Sequence, residues 1–316
     1  MTAKELIELS GQAIAAFRDP ADELGLTRAC RLQAQAHYLA RNGKECASAS
    51  EQALMHARRA GDPFEVKEIV EWLAVSLSLG SAPAPVVDRR CDELLHEVAG
   101  DRSLEVTLLA VRGYQLAMQG RETEARALHG RARDAARDSG DPHGLPYLPI
   151  NVAFVELLFD KRGGASRELR VACRALEDVG EQTNYSSMAA LLALTLCAET
   201  AYEEAEEFSR ASEAAARAND VLANVIWRSA RASARAGLGD LEAAESLARD
   251  AISFAERSDF LNVHGDALVT LAEILERTGR ADGAAEVLRD AVGLYEEKEN
   301  VVSAGNARTI LERIVS

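Results

Sequence analysis

Aromatic side chains make up only 5% of this 316-residue chain, which argues against one large aromatic-rich core and for many small Ala and Leu contacts. Proline is scarce too: there are seven, and none lies beyond Pro149, so nothing breaks helices in the second half. No apolar run approaches the roughly 18 or more residues of a membrane span, and no charged-then-apolar leader is visible, so the expectation is a cytoplasmic chain without membrane contact. The five cysteines, Cys30, Cys46, Cys91, Cys173 and Cys197, contain no Cys-x-x-Cys pair, and the pattern reads as buried reduced thiols. The histidines, His37, His56, His96, His129, His143 and His264, never fall at metal-ligand spacing and read as helix-surface or loop residues. A phosphate-binding Gly-x-x-x-x-Gly-Lys-Ser/Thr string is also missing, since Gly43-Lys44 is followed by Glu45. Nothing assembles a nucleophile, a base and an oxyanion site, so neither an enzyme nor a cofactor or metal is expected. Positive charge is short as well: the net charge is −15, which repels phosphate backbones, excludes nucleic acid as a partner and would suit a basic one.

What the chain does have is a period. A small turn residue followed by an acid or Asn recurs at Gly61-Asp62, Gly100-Asp101, Gly140-Asp141, Gly180-Glu181, Asn219-Asp220, Ser258-Asp259 and Glu299-Asn300. The steps are 39, 40, 40, 39, 39 and 41 residues, the signature of a solenoid of helical hairpins. Midway through several units stand Gly120, Gly239 and Gly279, each followed by alanines at plus five and plus twelve: Ala125 and Ala132, Ala244 and Ala251, Ala284 and Ala291. Seven residues is two helical turns, so each pair shares a face and lets a neighbouring helix come close. This spacing resembles the tetratricopeptide repeat, stretched from about 34 residues. HEAT and armadillo repeats share the period but do not call for that glycine and those alanines.

The expected fold is therefore all-α: a right-handed α-α superhelix of about seven tetratricopeptide-like hairpins in one solenoid over residues 1–316. First helices are expected near 23–41, 64–79, 102–119, 147–160, 184–200, 221–237 and 260–278. Second helices are expected near 44–60, 85–98, 121–138, 164–179, 202–218, 241–257 and 281–297. Residues 20–300 hold the seven repeats and 301–316 a capping helix. Asp62-Pro63 and Asp141-Pro142 read as N-cap and first helical residue. Pro142 to Pro149 argues for an irregular entry into the fourth repeat. Residues 1–19 form the orphan second helix of an incomplete repeat, with Leu6, Ile7, Ile14 and Phe17 apolar. Either the chain is the tail of something larger or it forms a homodimer there.

Several strings carry a more specific resemblance. They are Asp22-Glu23-Leu24-Gly25-Leu26; Gly80 through Pro85 leading to Arg90-Cys91-Asp92-Glu93-Leu94-Leu95; Trp227-Arg228 with Arg231-Ala232; Asp259-Phe260-Leu261-Asn262 with Asp266-Ala267-Leu268 and Leu271-Ala272-Glu273; and Leu294-Tyr295-Glu296 before Glu299-Asn300-Val301-Val302. Together they resemble the C-terminal helical-repeat region of actinobacterial regulators that carry an upstream nucleotide cyclase domain, a STAND-type ATPase domain, or both. The resemblance covers the repeat region alone and implies a regulatory, non-catalytic role.

Two functional classes fit: a protein-interaction scaffold in signal transduction, or a sensor that holds a small molecule or peptide in its groove. A closed, apolar-walled cavity with convergent polar groups would favour the sensor. Register against the turn glycines puts His37, Arg41, Tyr114, Met118, Thr195, Ser233, Asp266 and Glu273 toward the concave face, to within one residue. Tyr114 and Met118, one turn apart, would offer an apolar contact to a peptide, or else fill gaps between helices. Arg228, Arg231 and Arg235 form a cationic stripe that would face an anion, or pair within the chain with Asp266, Glu273 or Glu242.

Overall fold

The computed structural model describes residues 2–18, 22–139, 147–159 and 164–316. The mark Gly140-Asp141, His143 and the two prolines at 142 and 146 lie outside them. Among the described residues there are sixteen α-helices and no strand. They are α1 (Ala3–Arg18), α2 (Glu23–Leu39), α3 (Gly43–Ala60), α4 (Pro63–Leu79), α5 (Ala84–Glu97), α6 (Arg102–Met118), α7 (Glu122–Ser139) and α8 (Tyr147–Leu158). Then follow α9 (Ala165–Asp178), α10 (Gln182–Ala198), α11 (Tyr202–Ala215), α12 (Val221–Gly237), α13 (Leu241–Ala255), α14 (Leu261–Arg277), α15 (Ala281–Glu297) and α16 (Val301–Val315).

The recurring marks explain these boundaries. Gly61, Gly100 and Gly180 take left-handed φ values of 69°, 98° and 69°, which end one helix without a Cβ penalty. The acid that follows caps the next: the side chains of Asp62, Asp101, Glu181 and Asp220 accept from backbone N–H groups in the first turns of α4, α6, α10 and α12. The paired alanines are all fully buried. His129 departs from the expected surface position. It is buried because Gly113 on α6 lets α7 approach, and its Nε2 donates to the Ala110 carbonyl at 3.2 Å. Burial holds its pKa down at about 4. The abundant charge is spent largely between successive repeats. Arg31–Glu65, Arg90–Glu51, Arg133–Glu168 and Arg313–Glu276 all bridge neighbouring units. On α1, Ile14 packs against the core shared by α2 to α6, while Leu9 and Phe17 stay 50% and 37% exposed.

The solenoid is wound so tightly that it meets itself. Asp259, one of the repeat marks, does not cap its own helix, since α14 begins at the N-cap Phe260 with no side-chain cap. Its carboxylate instead accepts from the N–H groups of Gly43 at 2.6 Å and Lys44 at 2.7 Å, at the start of α3. The positive end of that helix, which sequence alone marks as unfit for phosphate, is thus filled from within. Beside it, Lys298 is fully buried, and its ammonium donates to the carbonyls of Gly80 at 2.5 Å and Leu77 at 3.3 Å where α4 ends. Burial pulls this lysine down to about 7, against the attraction of Asp259. The Ala84 N–H donates to the Lys298 carbonyl, and Arg41 donates to the Ala218 carbonyl while lying over the Phe254 ring at 4.8 Å. Space at this clasp is minimal: a Cβ on Gly43 would lie 2.8 Å from the Gly80 backbone.

Candidate functional site

Closure deepens the concave groove into two half-open chambers. The larger chamber, about 680 Å³, is walled by the inner helices α6, α8, α10, α12 and α14, with Tyr295 of α15 and Ser303, Asn306, Ala307 and Ile310 of α16. The C-terminal helix therefore contributes to the site, and Asn306 also donates to the Leu158 carbonyl. A second chamber of about 430 Å³ lies toward α2 and α4, lined by Gln35, Tyr38, Trp72, Asn184, Arg217 and Asp220 among others. Phe154 lines both chambers and stacks on Tyr114 with ring centroids 5.0 Å apart. Asn262 of α14 reaches across the coil, its Nδ2 donating to the Tyr114 hydroxyl at 3.3 Å and to the Met118 Sδ at 3.0 Å, and its Oδ1 accepts from Asn300.

The larger chamber has apolar walls, among them Leu157, Leu194, Val225, Ile226 and Val263, and few charges. Asp266 and Glu273 face into it from α14. Seven residues apart on one helix, they lie on one face about 10 Å apart along the axis. Both are more than a third exposed, to the water of the half-open chamber, while the protein packed around them still limits their hydration. Burial of this kind pushes Asp266 up to about 6, opposed by the Tyr295 hydroxyl, which donates to it at 2.6 Å. Burial also raises Glu273, helped by Glu276 and opposed by Arg313 and Arg277. Glu273 makes no hydrogen bond or ion pair with any described residue. Ser229 of α12, only 5% exposed, has a hydroxyl without a partner in the same wall. Cys197 also lines the chamber, but burial lifts its thiol to about 12 and its Sγ–H donates to the Ala230 carbonyl, so it is no nucleophile.

The residues singled out in the sequence separate into three groups. Tyr114, Ser233, Asp266 and Glu273 meet in the larger chamber. Met118 is fully buried under Asn262, so it packs the coil against itself and presents nothing to a peptide. Thr195 is buried as well, with its hydroxyl on the Leu192 carbonyl. His37 lies toward α3, while the neighbouring Gln35, Tyr38 and Leu39 line the second chamber, a shift of one register position. Arg41 belongs to the clasp. The arginine stripe turns away from the chamber toward α11 and α13. Arg231 pairs with Glu213 at 2.7 Å, Arg235 with Glu206 at 2.5 Å and Asp240 at 3.4 Å, and Arg228 stacks on Trp227 and Phe254. Its partners are thus not Asp266, Glu273 or Glu242. Phe154, Tyr202 and Ser229 are chamber residues that no sequence signal marked, and Tyr295 stood only in a string of the family resemblance.

No family model and no curated protein sequence matches this chain. Among solved structures it is similar to NprR in complex with its cognate peptide NprX, with a TM-score of 0.60 and 13% identity over 92% of this chain and 83% of that one. It is also similar to yeast Tom70, with a TM-score of 0.50 and 12% identity over 98% of this chain and 59% of that one. A tetratricopeptide repeat protein from Parabacteroides merdae aligns over 99% of both chains at a TM-score of 0.49. At such identities the likeness is one of fold, and the fold is a tetratricopeptide-like solenoid.

Proposed function

We infer that this chain is a non-catalytic helical-repeat interaction module that receives a peptide in its inner chamber. The observation that carries the reading is the chamber itself: deep but half-open, apolar-walled, of a size suited to a drug-sized ligand or short peptide, and holding polar groups that the fold leaves unpartnered. Between a scaffold and a groove-binding sensor, the apolar walls and convergent polar groups of this half-open chamber favour the sensor. The solved structure of NprR, whose fold this chain shares, holds a cognate peptide, which fits the same use. The resemblance to repeat regions of cyclase-linked and STAND-linked regulators fits a regulatory, cytoplasmic role, with occupancy of the chamber as the signal. The apolar residues left open on α1 fit a contact between two copies, which light scattering at rising concentration would detect.

The test is retention of peptides from a randomised pool by the immobilised chain, compared with the Ser233→Trp variant, whose indole would fill the chamber. Retention that the variant abolishes while its helical circular dichroism is unchanged is the expected result. Equal retention by both, or none by either, overturns the reading.

A further inference from the structure

We propose that the larger chamber is built for a dication: a peptide segment carrying two basic side chains whose charges lie about 10 Å apart, one meeting Asp266 and the other Glu273. This deepens the peptide-binding reading and rests on it.

Neither carboxylate has an ion-pair partner among the described residues. Asp266 has one oxygen on the Tyr295 hydroxyl, and the other groups around it, Tyr114 from α6 and Asn262, bring no positive charge. Around Glu273 stand Glu276 and Arg277 of its own helix and Arg313 of α16, but Arg313 is committed to Glu276 at 3.0 Å. Arg277, one turn beyond, lines the same chamber and lowers the cost of the Glu273 charge, but makes no ion pair with it, so Glu273 keeps a free carboxylate for a ligand. Carboxylates held where water is thin gain more from an arriving cation than exposed ones do, because the cation offsets a desolvation cost already incurred. An anionic or neutral ligand would leave that cost in place.

Between the two charges the floor of α14 is Val269 and Thr270, faced by Ile226 and by the orphaned Ser229 hydroxyl of α12. An apolar stretch with one hydrogen-bonding group suits the backbone and small side chains that join two basic residues. The rings of Tyr114, Phe154 and Tyr202 add faces on which a guanidinium or ammonium can lie. A linear polyamine shares the two-charge chemistry but would leave most of the about 680 Å³ unfilled.

The experiment uses the full chain, a pool of randomised hexapeptides acetylated and amidated at their ends so that only side chains carry charge, and spermidine as a separate probe. Retained peptides are sequenced by mass spectrometry. Peptides with two Lys or Arg residues should be enriched at least ~10-fold over the input, and Glu273→Gln should reduce that enrichment at least ~5-fold. Glu273 makes no contact on which folding depends, and Asp266→Asn, which keeps an acceptor for Tyr295, serves as the second variant. Lowering the pH from about 7.5 to about 5 should weaken retention as Asp266 takes up its proton. Peptides retained without a basic bias, yet excluded by Ser233→Trp, would overturn the dication inference while the peptide-binding reading stands. Carboxylate-dependent retention of spermidine with no peptide retained would keep the charge chemistry and overturn the peptide as its source. Retention of neither probe overturns the proposal.

Discussion

Asp259 and Glu273 stand at opposite ends of one helical face, with Asp266 midway, and the fold treats the three carboxylates differently. Asp259, just before α14, is saturated by two backbone N–H groups from a helix 216 and 215 positions away in the chain. Asp266 is half engaged, by one tyrosine hydroxyl. Glu273 is engaged by nothing in the described chain. Three acids in the same register thus run from structural to unused within two helical turns on either side of the middle one, as the coil opens from clasp to chamber. The lesson is that an acid's meaning here depends on how closely the next turn of the superhelix approaches it, more than on its place in the repeat.

The comparison is broken most severely at the clasp. Asp259→Ala removes two charge-assisted hydrogen bonds from the start of α3 and the attraction that steadies the buried Lys298. A loss of about 3 kcal/mol in a urea titration is expected, with an increase in the radius of gyration by X-ray scattering. A loss without expansion would mean that Arg41 and Lys298 hold the coil shut unaided. Next in size is a control on the neighbouring inner helix. Arg231 is 13% exposed in its side chain, pairs with Glu213, donates to Ser209 at 3.0 Å and lies 4.4 Å over Trp227. Arg231→Ala should cost about 2 kcal/mol and leave peptide retention unchanged, because that charge is spent inside the fold.

Asp266 should respond in the opposite direction. Its folded pKa of about 6 lies above the unfolded value near 3.8, so the folded state holds its proton more tightly. The sign follows: the native state is favoured as pH falls from about 7 toward 4, and ionisation weakens it as pH rises through about 6. Asp266→Asn should therefore raise stability at neutral pH, by about 1 kcal/mol once the water of the chamber is allowed for, and flatten this part of the pH profile. Thermal melts between pH about 5 and 8 would read both.

Much of this was legible in the sequence, and the limits have a common cause. A left-handed glycine and an N-cap acid act within a few residues, so Gly61-Asp62 or Gly100-Asp101 announce their helices without reference to anything distant. The register that follows brought Tyr114, Asp266 and Glu273 to the inner face. Ser258-Asp259 looks the same by these local rules, yet its acid leaves its own helix for another. Lys298 carries no mark in the sequence that sets it apart from other lysines, and it is fully buried. Both outcomes are set by the superhelical pitch, a sum of small rotations between repeats that no single motif encodes. The arginine stripe has the same difficulty on a smaller scale. Its spacing fixes that Arg228, Arg231 and Arg235 share a face of α12, but the packing of α11 decides that Glu206 and Glu213 occupy it.

The smallest effect on stability is expected at Glu273, and it is the sharpest use of the comparison. Since no donor in the described chain contacts this carboxylate, Glu273→Gln removes no hydrogen bond or ion pair and should change unfolding by less than about 0.5 kcal/mol, as at an ordinary surface site. The burial that raises its pKa gives the uncharged amide, if anything, a slight advantage. Asp259→Ala, acting on a carboxylate in the same register, should have an effect several-fold larger, and a double variant should show the two effects adding, because the sites are four helical turns apart and share no partner. A large destabilisation by Glu273→Gln would mean that the carboxylate is held by the fold after all, and the distinction between the clasp end and the chamber end of α14 would collapse.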